Sequence, residues 1–171
     1  MQMIIIILGV LCLVFFIENA RELRTFRIRT YRIFSHKLKG IQKKRIVFLS
    51  DLHNCSYGKN NGRLLAAVRR SRPDLILIGG DMLVRKNGTS YAKTLKFLTR
   101  LTAMCPVYYA NGNHEQKLKE EPERYEQSYA AYKKHLEEAG IIFLENEAVI
   151  WKTGRARIRI SGLEIPLSAY G

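Results

Sequence analysis

Fifteen uninterrupted apolar residues, Met3 to Ile17, stand near the start of the chain, and no later run matches them. From Arg45 onward the pattern changes to short apolar blocks set between polar stretches. "RIVFLS" (45–50), "DLILI" (74–78) and "PVYYA" (106–110) are β-rich and continuously apolar, as strands buried on both faces are. Between the first two, "NNGRLLAAVRRSR" places Leu64, Leu65, Ala67 and Val68 on one helical face. Asn60 or Asn61 can cap that helix, and Pro73 stops it. Thr89 to Thr102 predicts a second helix with Tyr91, Leu95, Leu98 and Leu101 turned inward. A long polar helix, roughly Pro122 to Ala139, is closed by Gly140 as a left-handed cap. "IIFL", "EAVIWK" and "ARIRISG" then read as three short strands. Strand, helix, strand, helix, strand predicts a right-handed parallel α/β layer.

The apolar run changes the picture at the N-terminus. At ~1.5 Å per residue it makes about 22 Å of helix, short of the ~30 Å hydrocarbon core, with Met1, Gln2 and the stems of Arg21 and Arg24 able to extend it. A cleaved signal peptide is the rival reading. It wants basic residues before the run and small residues before the cut, whereas none precedes the run and Glu18 stands in the exit "ENA". An uncleaved transmembrane anchor over residues 1–20 is therefore the expectation. The chain carries 29 Lys and Arg against 15 Asp and Glu, a net charge of +14. More than half of that excess lies between Glu18 and Ile46, where ten basic residues face only Glu18 and Glu22. This basic arm, residues 21–44, either lies against anionic headgroups or is a solvated linker that orients the anchor. The positive-inside rule puts the following domain on the cytoplasmic side of the cell membrane. A nucleic-acid binder would rest on charge alone, since no aromatic platform or recognised module accompanies it. Cys12, Cys55 and Cys105 form no CxxC and no disulfide framework.

Each of the three apolar strands stops in residues able to bind metal. The first gives Asp51 and His53, the second Asp81, the third Asn113 and His114. In an open parallel sheet these ends share the carboxyl edge, where ligands bind. Taken singly, each has an ordinary reading: an Asp cap after a strand, a Gly-Gly-Asp βα turn, a Gly-Asn turn. Three coincidences at one edge favour a cation. Asp, His and Asn donors suit Mn²⁺, Fe or Zn²⁺, and the lack of thiolate argues against a structural zinc.

"DLH", "GGDM" and "GNHE", about thirty residues apart, resemble the calcineurin-like metallophosphoesterase superfamily, from Arg45 to the end. "KRIVFLSDLHN", "PDLILIGGDM" and "YYANGNHE" after a basic arm resemble its bacterial membrane-associated branch, some members of which cleave lipid-linked nucleotide sugars. The resemblance implies an α/β four-layer sandwich, of which residues 45–171 would be the first half: a parallel or mixed sheet flanked by helices, after one transmembrane helix. It implies two divalent metal ions that supply hydroxide to a phosphoester or pyrophosphate. Asp51 and His53 would hold the first, Asp81 would bridge, and Asn113 would bind the second. His114 would sit over the phosphate as catalytic group rather than ligand. The implied partners are a phosphorylated substrate, lipid-linked in some members, and a membrane with anionic headgroups.

The close backbone approach that metals require fits Gly80 and Gly112. Arg85 and Lys86 either meet a remaining substrate phosphate or are solvated loop charges. Glu115 is expected to order the loop carrying His114, Cys55 to be a small filler, and His135 and His36 to be surface residues. The family pattern continues with a lone His and a Gly-His-x-His. Here only His135 follows His114, so the second metal keeps Asp81 and Asn113 alone. The expectation is an N-terminal part of a phosphoesterase, weak or inactive by itself. The alternative is a catalytically inactive, membrane-anchored metal- or phosphate-binding module.

Overall fold

The computed structural model describes residues 2–22, 25–38, 42–126 and 128–170. Helix α1 (Gln2–Glu22) is followed by an irregular arm and then by a parallel four-stranded sheet. Its strands are β1 (Ile46–Leu49), β2 (Leu75–Ile78), β3 (Val107–Tyr109) and β4 (Ile141–Phe143), in the order β1-β2-β3-β4. A strand order that follows the chain, with crossovers of one hand, carries every connecting helix to the same face. Those helices are α2 (Gly62–Ser71), α3 (Ala92–Thr99), α4 (Asn113–Glu120) and α5 (Tyr129–Glu138).

Alternation along the strands builds two cores. Ile76, Ile78, Val107, Tyr109 and Ile141 pack beneath the helices with Leu65, Val68, Phe97, Leu98 and Leu136. Leu75 and Tyr108 point the other way and meet Trp151 and Leu144. Trp151 comes from a separate antiparallel hairpin, β5 (Ala148–Thr153) and β6 (Ala156–Ser161), paired from Ala148 with Ser161 to Thr153 with Ala156. β1, expected to be buried on both faces, is instead an edge strand, and its Ile46 and Phe48 stay exposed. The parallel α/β layer is thus as expected. The sheet also takes in a fourth strand, and only β5 and β6 stand apart from it.

Two helices differ from expectation. Asn113–Glu120 is helical where the sequence suggested only a loop. Glu121 then leaves helical geometry (φ −119°, ψ 55°), Pro122–Arg124 makes one 3-10 turn, and Ser128 caps a new helix by accepting the Ala131 N–H. The expected single helix over 122–139 is therefore mostly a turn and a shorter α5. Gly140 does close it with φ +91°. Asn61 stands at the N-terminus of α2 but makes no side-chain cap there, contrary to expectation: its side chain accepts the Tyr57 N–H instead, at 2.7 Å.

The transmembrane anchor is not supported. Among the described residues no helix is long and apolar enough to cross a membrane. The uninterrupted apolar run inside α1 is only Met3 to Ile17. Phe26 ties the arm to the body, its ring stacked edge-on to Tyr57 at 5.1 Å. At the arm's other end Asp74 receives Lys44 Nζ and the Arg45 N–H, both at 2.9 Å. Those two bonds hold the Asp74 carboxyl below its usual pKa, the Arg45 amide contributing most.

Candidate metal centre

Beyond their last paired residues, β1 and β2 stay hydrogen-bonded. Asp51 N–H donates to Gly80 O (3.1 Å), His53 N–H to Asp81 O (2.9 Å) and Asn54 N–H to Met82 O (3.0 Å). To keep that contact while turning away, Asp51, His53, Asn54 and Asp81 adopt left-handed φ values of 56°, 47°, 57° and 54°. Such a conformation is uncommon and costly for a residue with a Cβ, and a cluster of four marks a place held by its surroundings. The glycines explain how the third strand end comes close. A Cβ on Gly80 would lie 2.0 Å from Gly112 N, and one on Gly112 would lie 2.4 Å from Asp81 Oδ1.

This backbone gathers three side chains. Ligand atoms of Asp51, His53 and Asp81 all lie within 4.8 Å of one another. His53 Nε2 is 3.6 Å from Asp51 Oδ1, while Ser50 Oγ donates to Asp51 Oδ2 at 2.6 Å. The His114 N–H donates to Asp81 Oδ1 at 2.9 Å. Among the described residues no lysine or arginine pairs with either aspartate. Two carboxylates and an imidazole, converging with lone pairs to spare and no protein cation, suit a divalent ion with mixed O and N preference.

Beneath them lies Glu115, fully buried at 0% exposure. Its Oε2 accepts the N–H groups of Asp81 (2.8 Å) and Gly112 (3.1 Å). Its Oε1 accepts the Met82 N–H (2.9 Å) and the Tyr109 hydroxyl (2.7 Å). One carboxylate thus ties the end of β2 to the first turn of α4. Burial raises its pKa, against hydrogen bonds from Tyr109 and the Asp81 amide that pull it down. Glu115 orders the loop, as its place in "GNHE" suggested. Tyr109 in turn meets the Tyr132 hydroxyl at 3.0 Å.

His114 stands over the cluster, its ring edge-on to His53 at 4.9 Å. The Arg85 N–H donates to His114 Nδ1 at 3.2 Å. Nδ1 is therefore the acceptor, and a neutral His114 carries its proton on Nε2. Burial, with Arg85 nearby, lowers its pKa below the usual value. Asn113 is the first residue of α4 and exposed, one position from the amide that bonds Asp81.

A model of the calcineurin-like phosphoesterase family matches residues 44–161. The chain belongs to that family. It is 31% identical over 164 residues to "Uncharacterized metallophosphoesterase YkoQ" of Bacillus subtilis (strain 168), covering 94% of this chain and 58% of the relative. It is 28% identical over 138 residues to "Uncharacterized protein YpbG" of the same organism, covering 80% and 48%. The chain thus spans between about half and three-fifths of the length of these relatives. Among solved structures it is similar to the phosphopantetheinyl hydrolase PptH of Mycobacterium tuberculosis, with a TM-score of 0.49 and 21% identity. That alignment covers 70% of this chain and 42% of the other.

For this family member the structure also corrects and adds residues. Cys55 is exposed and fills nothing. His135 and His36 are exposed, as expected. Arg85 meets the site through its backbone. Sequence reasoning did not single out Asn111, whose Nδ2 donates to Tyr129 (2.7 Å), Glu145 (3.1 Å) and Glu164 (2.9 Å). Nor did it suggest Ser50 or Tyr109 as supports. Tyrosine next to a strand end reads as core until its hydroxyl partner is known.

Proposed function

We propose that this chain carries the first half of a metal-dependent phosphoesterase site, with Asp51, His53 and Asp81 holding one divalent cation. Asp81, with a second carboxylate oxygen, and Asn113 would contribute to a second. The convergence of those three side chains within 4.8 Å carries the reading. Bound divalent cations supply Lewis-acid activation of the phosphoryl group and of water. The chain's own groups do the rest. Glu115 fixes Asp81 through its backbone amide, Ser50 orients Asp51, and His114 offers its Nε2 proton to a developing charge or a leaving oxygen. Asn113 would bind without adding negative charge. Two ligands are few for a catalytic cation, so we assign the remainder of the second centre to residues outside this sequence. The donor set suits Mn²⁺, Fe or Zn²⁺.

The membrane belongs to the same proposal. Every described large apolar side chain from Met3 to Ile17 is more than half exposed, and a patch of that extent calls for an apolar partner. The basic arm beside it favours anionic headgroups. Hydrolysis of an aryl phosphodiester should depend on added Mn²⁺ in the longest form of the protein and vanish in Asp81→Asn. Metal-independent turnover would remove the reading. An intact fold that takes up no metal and shows no turnover in any form would favour the inactive binding module.

A further inference from the structure

We infer that the edge of the sheet bearing the metal cluster is also the surface that faces an anionic bilayer. The inference rests on the membrane reading above and goes beyond it, because an anchored domain could present any side. Phe26, held against Tyr57, fixes where the arm meets the body. Tyr57 lies in the loop that leaves β1 at its carboxyl end, four residues past His53. Only three residues separate Glu22, the end of α1, from Phe26, a span of at most about 14 Å. The apolar helix is therefore tethered at the metal-bearing edge and not at the opposite one.

The exposed surface of the arm fits the same partner. After Phe26 the arm alternates Arg27, Arg29 and Arg32 with Ile28, Tyr31, Ile33 and Phe34, and the last three are more than four-fifths exposed. Guanidinium groups interleaved with aromatic and aliphatic side chains match the headgroup layer of an anionic membrane. The other flank of the edge is apolar too. Leu163 and Ile165 are 74% and 52% exposed. Between them Glu164 bonds Lys119 and Asn111, two residues before Asn113, which holds both apolar side chains beside the site. Gly162, backed against the Leu144 carbonyl, starts that segment at the carboxyl end of β4. Two segments separated by more than a hundred residues of sequence, the start of the arm at Phe26 and the stretch 163–165, thus meet the edge that bears the site. A phosphoester held in the same bilayer would reach the metals without leaving the interface.

The test uses the whole chain with a single labelled cysteine. Cys55, exposed two residues after His53, takes a bimane in Cys12→Ala, Cys105→Ala protein. The reference carries the bimane at Ala103→Cys with Cys55→Ala also in place, since Ala103 is exposed just before the amino end of β3. Vesicles of phosphatidylglycerol and phosphatidylcholine with brominated lipid should quench the label at 55 several-fold more than the label at 103. Phe26→Asp should still co-sediment through α1 while that difference collapses. Equal quenching at both positions, or more at 103, would overturn the inference and leave the membrane reading standing. No co-sedimentation at all would overturn both, while Mn²⁺-dependent hydrolysis would remain a separate result.

Discussion

Two groups of acidic residues share one edge of the sheet, and they are solved in opposite ways. At β3 and β4, Glu145 and Glu164 are matched by Lys119 and Lys133. Lys133 Nζ reaches Glu145 at 2.7 Å, and Lys119 reaches Glu164 at 2.8 Å and Glu145 at 3.3 Å. Tyr129 and the Asn111 amide add further bonds to the same carboxylates. At β1 and β2, Asp51 and Asp81 receive a hydroxyl, a backbone N–H and an imidazole, and no ammonium or guanidinium. The first group also sits on ordinary backbone, whereas the second is held in left-handed φ. Among the described residues, lysines meet the carboxylates at one end of the edge and none meets those at the other. The difference is what the proposed metal centre requires: among the described residues no protein cation balances Asp51 and Asp81.

The sharpest way to break this contrast is at its brace. Glu115→Ala leaves three backbone N–H groups and the Tyr109 hydroxyl without their acceptor, at about 1–3 kcal/mol for each one left unsatisfied. We expect a loss of about 3 kcal/mol or more in denaturant unfolding, the largest of the set. A loss under 1 kcal/mol would mean that the loop holds itself.

Next comes Gly112→Ala. Its Cβ would meet Asp81 Oδ1 at 2.4 Å and Asp81 N at 2.6 Å, so the carboxylate or the loop must move. Overpacking of this kind costs about 1–3 kcal/mol, and here it should also weaken divalent-ion binding. Unchanged binding of Mn²⁺ would show that Asp81 has room to spare.

The smallest effect should come from the balanced group. Burial would raise the Glu145 pKa, but hydrogen bonds from Lys133, Tyr129 and Lys119 hold it at about 2. A carboxylate depressed in the folded state stabilises the fold above its unfolded pKa of about 4.3 and loses that contribution as pH falls toward 2. Lys133→Met should cost about 1 kcal/mol at neutral pH and move acid unfolding to higher pH, with metal affinity unchanged. A fall in metal affinity equal to that of Gly112→Ala would erase the distinction between the two groups.

Much of the metal cluster was legible in the sequence, because strand ends in a parallel sheet share an edge and side chains close to them in sequence stay close in space. Asp51, His53 and Asp81 needed only that rule. The balanced group was not legible: Asn111 meets Glu164, and Lys119 meets Glu145, only after β4 and the hairpin have taken their places. Helix α4 was missed because "NHEQKLKE" carries a single leucine, so its pattern shows no apolar face. The break before α5 was missed because a charged stretch with one proline reads as continuous helix until Ser128 is seen capping. The strand-end reading also left open which strands form which sheet, since "IIFL" gives no sign of whether it joins β3 or the hairpin.

The central claim, that Asp51, His53 and Asp81 form a metal centre lacking only its cation, is tested most directly by Mn²⁺ calorimetry. The wild-type chain should bind one ion firmly. Asp51→Asn and Asp81→Asn should each weaken that binding at least about tenfold, a free-energy change of about 1.4 kcal/mol, while thermal unfolding without metal stays unchanged or rises. Equal Mn²⁺ affinity in the wild type and both variants would contradict it.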